Sequence, residues 1–103
     1  LEEAERIVAF GEALDRLEGN RDFQTVILDG YFQKEATRLV MLTAEINLKP
    51  EQKEAVHAGI RAIAELRQFL VAKRMAAEMA RNEIEDYRRE LAEANDEDTG
   101  EEG

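Results

Sequence analysis

The chain has 103 residues, a length that favours one small domain. It carries 24 acidic and 14 basic side chains, and the formal charge of −10 disfavours direct binding to nucleic acid or to an anionic membrane. Cysteine and serine are absent and there is a single histidine, which excludes disulfides and the usual nucleophile constellations of enzymes. We therefore predict a non-enzymatic protein without a cofactor and without a metal site.

The first segment, residues 1–18, is predicted to be an amphipathic helix. Its apolar side chains recur at helical spacing and share one face: Ile7, Phe10, Leu14 and Leu17. The next two residues predict a break, with Gly19 as a left-handed residue and Asn20 as the cap of the following helix.

The second segment, residues 21–46, also reads as helix, because no alternation of apolar and polar residues follows the Asp29-Gly30 turn signal. Its apolar residues Val26–Leu28 and Leu39–Leu42 cover too wide an arc for a single contact face, which predicts a central position in the core. Gly30 is expected to allow the close approach of a neighbouring helix. The four phenylalanines are expected in the core as well: Phe10, Phe23, Phe32 and Phe69.

The third segment, residues 50–94, is predicted to be one long helix that starts at Pro50. Because the preceding loop is short, this helix should form an antiparallel hairpin with the second segment. The fold predicted is all-α: a long helical hairpin with a shorter N-terminal helix packed on it, within a single domain of residues 1–94. Residues 95–103 hold five acids and no base, and they are predicted to be a disordered acidic tail.

A strict seven-residue repeat runs along the third segment and defines what we call the heptad seam. Its first line is Val56, Ile63, Leu70, Ala77, Ile84 and Leu91, and its second line is Gly59, Leu66, Lys73, Ala80, Tyr87 and Ala94. This pattern is typical of a coiled-coil-like helix whose apolar edge packs along another helix. The third segment is longer than the second, so either the first segment continues past Asn20 and covers its end, or that end meets another copy of the chain. We favour the second alternative, by analogy with other helices that carry a heptad repeat.

The residues predicted for this oligomer interface are Ile63, Leu66, Leu70, Ala77, Ala80, Ile84, Tyr87 and Leu91. A line of arginines with the same seven-residue step flanks the seam and is expected to set the register of pairing: Arg67, Arg74, Arg81 and Arg88. The same line could serve as a phosphate-binding stripe, but the interleaved acids argue against that interpretation.

Two further patterns carry alternative interpretations. Glu54 and His57 have the spacing of the carboxylate–histidine pairs in di-iron helical bundles, but the single histidine favours a solvated side chain over a di-metal oxidase. Met75 and Met79 lie one helical turn apart in an alanine-rich patch, which suits an adaptable docking surface or a tight contact between helices.

Two stretches resemble small helical proteins of tailed bacteriophages, most of which have no assigned activity. These stretches are residues 17–40, with Asp29-Gly30-Tyr31-Phe32 as the most specific part, and residues 60–70. The resemblance implies a virion-associated or assembly role, with other virion proteins as partners, in the host cytoplasm during assembly or in the virion itself. It brings no functional residue with it.

The leading functional prediction is a structural or assembly protein that forms a homo-oligomer through its long helix. The alternative is an acidic inhibitor that mimics the charge of DNA and binds a host defence or transcription protein. Neither prediction includes a membrane-spanning segment, because no apolar run approaches the required length.

Overall fold

A computed structural model of the chain describes the backbone of residues 1–102 and the side chains of residues 1–96. Its helical elements are α1 (Glu2–Glu18), α2 (Arg21–Phe23), a π-helical segment (Gln24–Glu35), α3 (Ala36–Leu42) and α4 (Pro50–Glu102). Within the described backbone there is no strand, and the predicted all-α fold is confirmed. Contacts divide the chain into two compact units, Leu14–Ala72 and a second unit of residues 1–13 with the residues from 73 onward.

Local side-chain chemistry sets the ends of the helices. The Asn20 side chain accepts a hydrogen bond from the Phe23 N–H at 3.0 Å, which confirms its predicted role as a cap. Gly19, by contrast, does not have the left-handed backbone predicted for it. α4 begins at Pro50 as predicted, and the Gln52 side chain accepts the Lys49 N–H at 2.9 Å, so one donor at the helix start is satisfied.

The π-helical segment separates α2 from α3 and changes the role expected for Gly30. In a π-helix each N–H points to the carbonyl five residues earlier, which widens the turn. A Cβ at position 30 would lie 3.2 Å from the Thr25 carbonyl oxygen, so the glycine relieves crowding within its own helix. The expectation that Gly30 admits a neighbouring helix was wrong, because the crowding atom belongs to the same turn.

One ion pair braces the junction between the π-helical segment and α3. The Arg38 guanidinium donates two hydrogen bonds of 2.7 Å to the Glu35 carboxylate. These bonds lower the pKa of Glu35 and raise the pKa of Arg38, and both side chains remain on the surface. An exposed pair of this kind contributes little to stability, so we regard it as a local brace only.

The unit Leu14–Ala72 contains the helical hairpin. Its core is formed by Leu39 of α3 with Val56 and Ile63 of α4, and the side chains packed around it are Tyr31, Phe32, Ala36, Leu42, Leu48 and Ile60. Gly59 lets α3 approach closely, because a Cβ there would lie 3.0 Å from the Leu39 Cδ1 atom. The hairpin therefore packs along the heptad seam, as its seven-residue repeat predicts.

In the second unit, α1 packs directly against the later part of α4. Gly11 faces Ala77 so closely that a Cβ on Gly11 would overlap the Ala77 methyl group. Ala4 of α1 and Ala80 of α4 are buried as well. Small residues on both helices thus allow their backbones to approach, and larger side chains could not be accommodated at this contact.

Within this unit the two helices are antiparallel. Phe10 lies beside Lys73, Gly11 faces Ala77, Val8 and Ile84 line one groove, and Leu1 and Tyr87 line another. Residue numbers therefore rise along α1 as they fall along α4.

Two of the expected core aromatics are not in the core. Phe10 and Phe69 are exposed, whereas Phe23 and Phe32 are half-buried. Phe10 lies beside a cation at the surface, since the Lys73 ammonium is 5.9 Å from its ring centroid. Most of the predicted acidic tail, residues 97–103, lies outside the residues whose side chains the structure describes.

The first testable prediction concerns the contact between Gly11 and Ala77. The substitution Gly11→Ala gains about 1 kcal/mol in helix propensity but inserts a methyl group into a full contact, which costs about 1–3 kcal/mol. We expect a net loss of stability, measured as the free energy of unfolding in urea.

Two variants control this measurement. Gly19→Ala places its Cβ at ordinary distances of 3.5 and 3.6 Å from two carbonyl oxygens, so it should leave stability unchanged or raise it slightly. The double substitution Gly11→Ala with Ala77→Gly should recover the loss, because it moves the methyl group to the other helix. A Gly11→Ala protein as stable as the parent would mean that α1 does not pack at this contact.

Candidate interaction surface

The heptad seam begins with residues that the chain itself covers. In the unit Leu14–Ala72, three seam residues are buried: Val56, Ile63 and Leu70. Leu66, from the second line of the seam, remains partly exposed at 38 %. Of the residues predicted for an oligomer interface, Ile63 and Leu70 therefore already have partners within a single chain.

In the second unit, α1 covers the next part of the seam. Ala77 and Ala80 are buried beneath α1, and Ile84 is half-buried beside Val8. All three α4 residues were predicted for an oligomer interface, and Gly11, which lets α1 approach Ala77, was not among the predicted contact residues.

Beyond Ile84 the seam is uncovered. Tyr87 is 44 % exposed and Leu91 is 48 % exposed, and Ala94 is also on the surface. We call Tyr87, Leu91 and Ala94 the uncovered seam. Leu1, which directly precedes α1, lines one groove with Tyr87. Apolar side chains in a heptad pattern are rarely left exposed without a partner.

The arginine line lies along one flank of the seam. Arg67, Arg74, Arg81 and Arg88 are all exposed. Arg88 lies next to the uncovered seam, and with Arg81 it lines a groove that also contains Glu85. On the opposite flank the corresponding side chains are Glu83 and Glu90, which are exposed and acidic. The uncovered seam thus has a basic edge and an acidic edge.

The two methionines are exposed, and Met79 lines the groove that contains Leu1 and Tyr87. Met75 is 60 % exposed and Met79 is 70 % exposed. On the helical wheel, Met75 lies almost opposite the first line of the seam. Of the two interpretations offered by the sequence, the tight contact between helices does not apply within the chain.

The candidate metal-binding pair also lies on the surface. Glu54 and His57 are exposed residues on the first turns of α4. Among the residues whose side chains are described, no group of three or more histidine, cysteine, aspartate or glutamate side chains is placed to hold a metal ion. The same part of the chain contains no helix long and apolar enough to cross a membrane.

Comparisons with known proteins found no match to this chain. No family model matches the chain, and neither a curated protein nor a solved structure is similar enough to it to count as a match.

The division of the seam into covered and uncovered parts can be tested by two matched truncations. Leu70→Ala removes a buried side chain and should lower the free energy of unfolding by about 2–5 kcal/mol. Leu91→Ala removes a half-exposed one and should cost no more than about 1 kcal/mol in the monomer. The free energy of unfolding of each variant is measured by chemical denaturation at low protein concentration. Equal losses would show that Leu91 is packed within the chain.

Proposed function

We propose that this chain is a non-enzymatic structural or assembly protein that self-associates through the uncovered seam of α4. The observation that supports the proposal is the half-exposed pair Tyr87 and Leu91. Leu91 belongs to the first line of the seam, in which Val56, Ile63, Leu70 and Ala77 are buried. Tyr87 follows the buried Ala80 in the second line, and both side chains remain accessible. Of the interface residues predicted from the sequence, the proposal keeps the two at the C-terminal end, Tyr87 and Leu91.

The free energies of burial and of association indicate how strong the self-association should be. Complete burial of a large apolar side chain is worth about 1.5–3 kcal/mol, and these two side chains are already half-buried. Association must also overcome a loss of rigid-body freedom of about 4–15 kcal/mol. A contact made by the uncovered seam alone is therefore weak, and it becomes populated where the protein is concentrated, as it is inside a growing assembly.

A role in a bacteriophage particle is a further part of the proposal. It is supported by the resemblance of residues 17–40 and 60–70 to phage proteins, and by a build of charged helices with few aromatic residues. In that role the protein would act in the host cytoplasm during assembly or within the virion, beside other virion proteins.

The experiment is sedimentation equilibrium over a wide range of protein concentrations. The parent chain should show an average mass that rises with concentration. Leu91→Asp should remain monomeric, because a charge would be buried against the partner. Ile84→Asp is less suitable, since Ile84 also lies beside Val8 within the chain.

Met75→Asp is the matched control. It introduces the same charge on the same helix, at an exposed position facing away from the seam. Its mass should follow that of the parent. A parent chain that is monomeric at every concentration would refute the proposal, and so would a Leu91→Asp protein that associates as the parent does.

A further inference from the structure

We infer that the uncovered seam of one copy docks into a groove on a second copy, where an exposed phenylalanine lies beside two cations. This inference rests on the proposed self-association and names the surface that receives the seam. Three observations carry it: the apolar lining of the groove, its charge and its size.

The groove lies between α1 and α4 in the second unit, and we call it the Phe10 groove. Its lining residues are Glu3, Arg6, Ile7 and Phe10 of α1 with Lys73 and Ala76 of α4. Phe10 is 45 % exposed, and Ile7 and Ala76 are half-buried. These side chains flank the close contact of Gly11 with Ala77, and they keep apolar surface that a further helix can bury.

The Phe10 groove is basic, although the chain as a whole carries a net charge of −10. Its lining has two cations, Arg6 and Lys73, and one carboxylate, Glu3. The Lys73 ammonium lies 5.9 Å from the centroid of the Phe10 ring, so a positive charge accompanies the exposed apolar surface. A groove of this composition suits apolar side chains that are flanked by carboxylates.

The uncovered seam has the complementary composition. Tyr87 and Leu91 are about half exposed, and residues 83–94 include five acids and two bases. Two seams placed face to face would bring two such acidic stretches together. Docking into the Phe10 groove instead sets the acidic edge of the seam near the two cations of the groove. Charge therefore selects the groove, while burial of the apolar side chains supplies most of the binding free energy.

The two surfaces are of similar size. The groove extends from Glu3 to Phe10 along α1 and the uncovered seam from Tyr87 to Ala94 along α4, so each covers about two helical turns, about 10 Å. Helices that cross at about 50°, a common angle in globular proteins, touch over a short patch and then diverge. Because α4 continues on both sides of the seam, such a crossing carries its continuations away from the groove.

Two other grooves in this unit fit the seam less well. One is lined by three carboxylates and no basic side chain, so it repels an acidic seam. The other is flanked by Arg81 and Arg88, but its apolar side chains, Val8 and Ile84, are already half-buried. Of the three, the Phe10 groove is the one that combines cations with a large exposed apolar side chain.

Two variants separate this arrangement from a contact between two seams. Leu91→Asp blocks the seam and leaves the groove intact, whereas Phe10→Asp blocks the groove and leaves the seam intact. Each protein alone should be monomeric in sedimentation equilibrium, because each lacks one of the two surfaces. Their equimolar mixture should contain a heterodimer, since the intact seam of one protein docks into the intact groove of the other.

The outcomes of this mixing experiment are distinct. A Phe10→Asp protein that associates as the parent does would overturn the inference, and so would a mixture in which both folded proteins stay monomeric. A parent chain that is monomeric at every concentration refutes the proposed function itself. Circular dichroism of each variant establishes that its helices are retained.

Arg6→Glu tests the groove without changing its apolar lining, and it serves even where Phe10→Asp fails to fold. Arg6 is exposed, so the fold should be retained, and reversal of its charge should weaken self-association about two- to tenfold. Arg16→Glu is the matched control, because it makes the same change on α1 at an exposed position outside the groove. Its association should equal that of the parent, and equal association of the two variants would contradict docking into the groove.

The salt dependence of the parent chain gives an independent measurement. Added sodium chloride should weaken self-association, because it screens the attraction between the acidic edge of the seam and the cations of the groove. Contact between two acidic seams would respond in the opposite way, since salt would then screen a repulsion. Self-association that strengthens with salt would overturn the inference while leaving the proposed function in place.

Discussion

The close contact between Gly11 and Ala77 is the constraint on which the rest of the molecule depends. Without a side chain on Gly11, α1 lies against the alanines of α4 and covers the heptad seam as far as Ile84. That contact determines how much of the seam the chain uses for its own folding. The part of the seam that remains exposed beyond this contact is a short surface centred on Tyr87 and Leu91.

The molecule therefore uses one continuous pattern for two purposes. Val56, Ile63 and Leu70 stabilise the hairpin, and Ala77 and Ala80 accept α1. The identities of the residues follow this division, since bulky side chains occupy the hairpin part and small ones the part beneath α1. Large side chains return at Ile84, Tyr87 and Leu91, of which Tyr87 and Leu91 are about half exposed.

The π-helical segment and the position of Lys73 are two features of the structure that the helical and seven-residue periodicities of the sequence did not predict. Lys73 occupies a seam position and would be unfavourable in a dry interface, but it lies over the Phe10 ring at the surface. The second segment was predicted to be helical despite its Asp29-Gly30 turn signal, and the structure has a wider π-helix there, Gln24–Glu35. The position of Lys73 depends on Phe10, a neighbour that is distant along the chain. The π-helix depends on backbone geometry that has no sequence signature.

The sequence by itself determined the helical class, the start of α4 at Pro50, the cap at Asn20 and the line of residues along which α4 packs, because these follow from local chemistry and from periodicity. It could not say which partner covers each part of that line, since a heptad repeat is equally satisfied by a helix of the same chain or of another. The tertiary structure decided this through the absence of a side chain at Gly11, which lets α1 lie against Ala77. The signal for that contact was present in Ala4 and Gly11, seven residues apart, but small residues carry little weight in a hydrophobic pattern until the helix facing them is known.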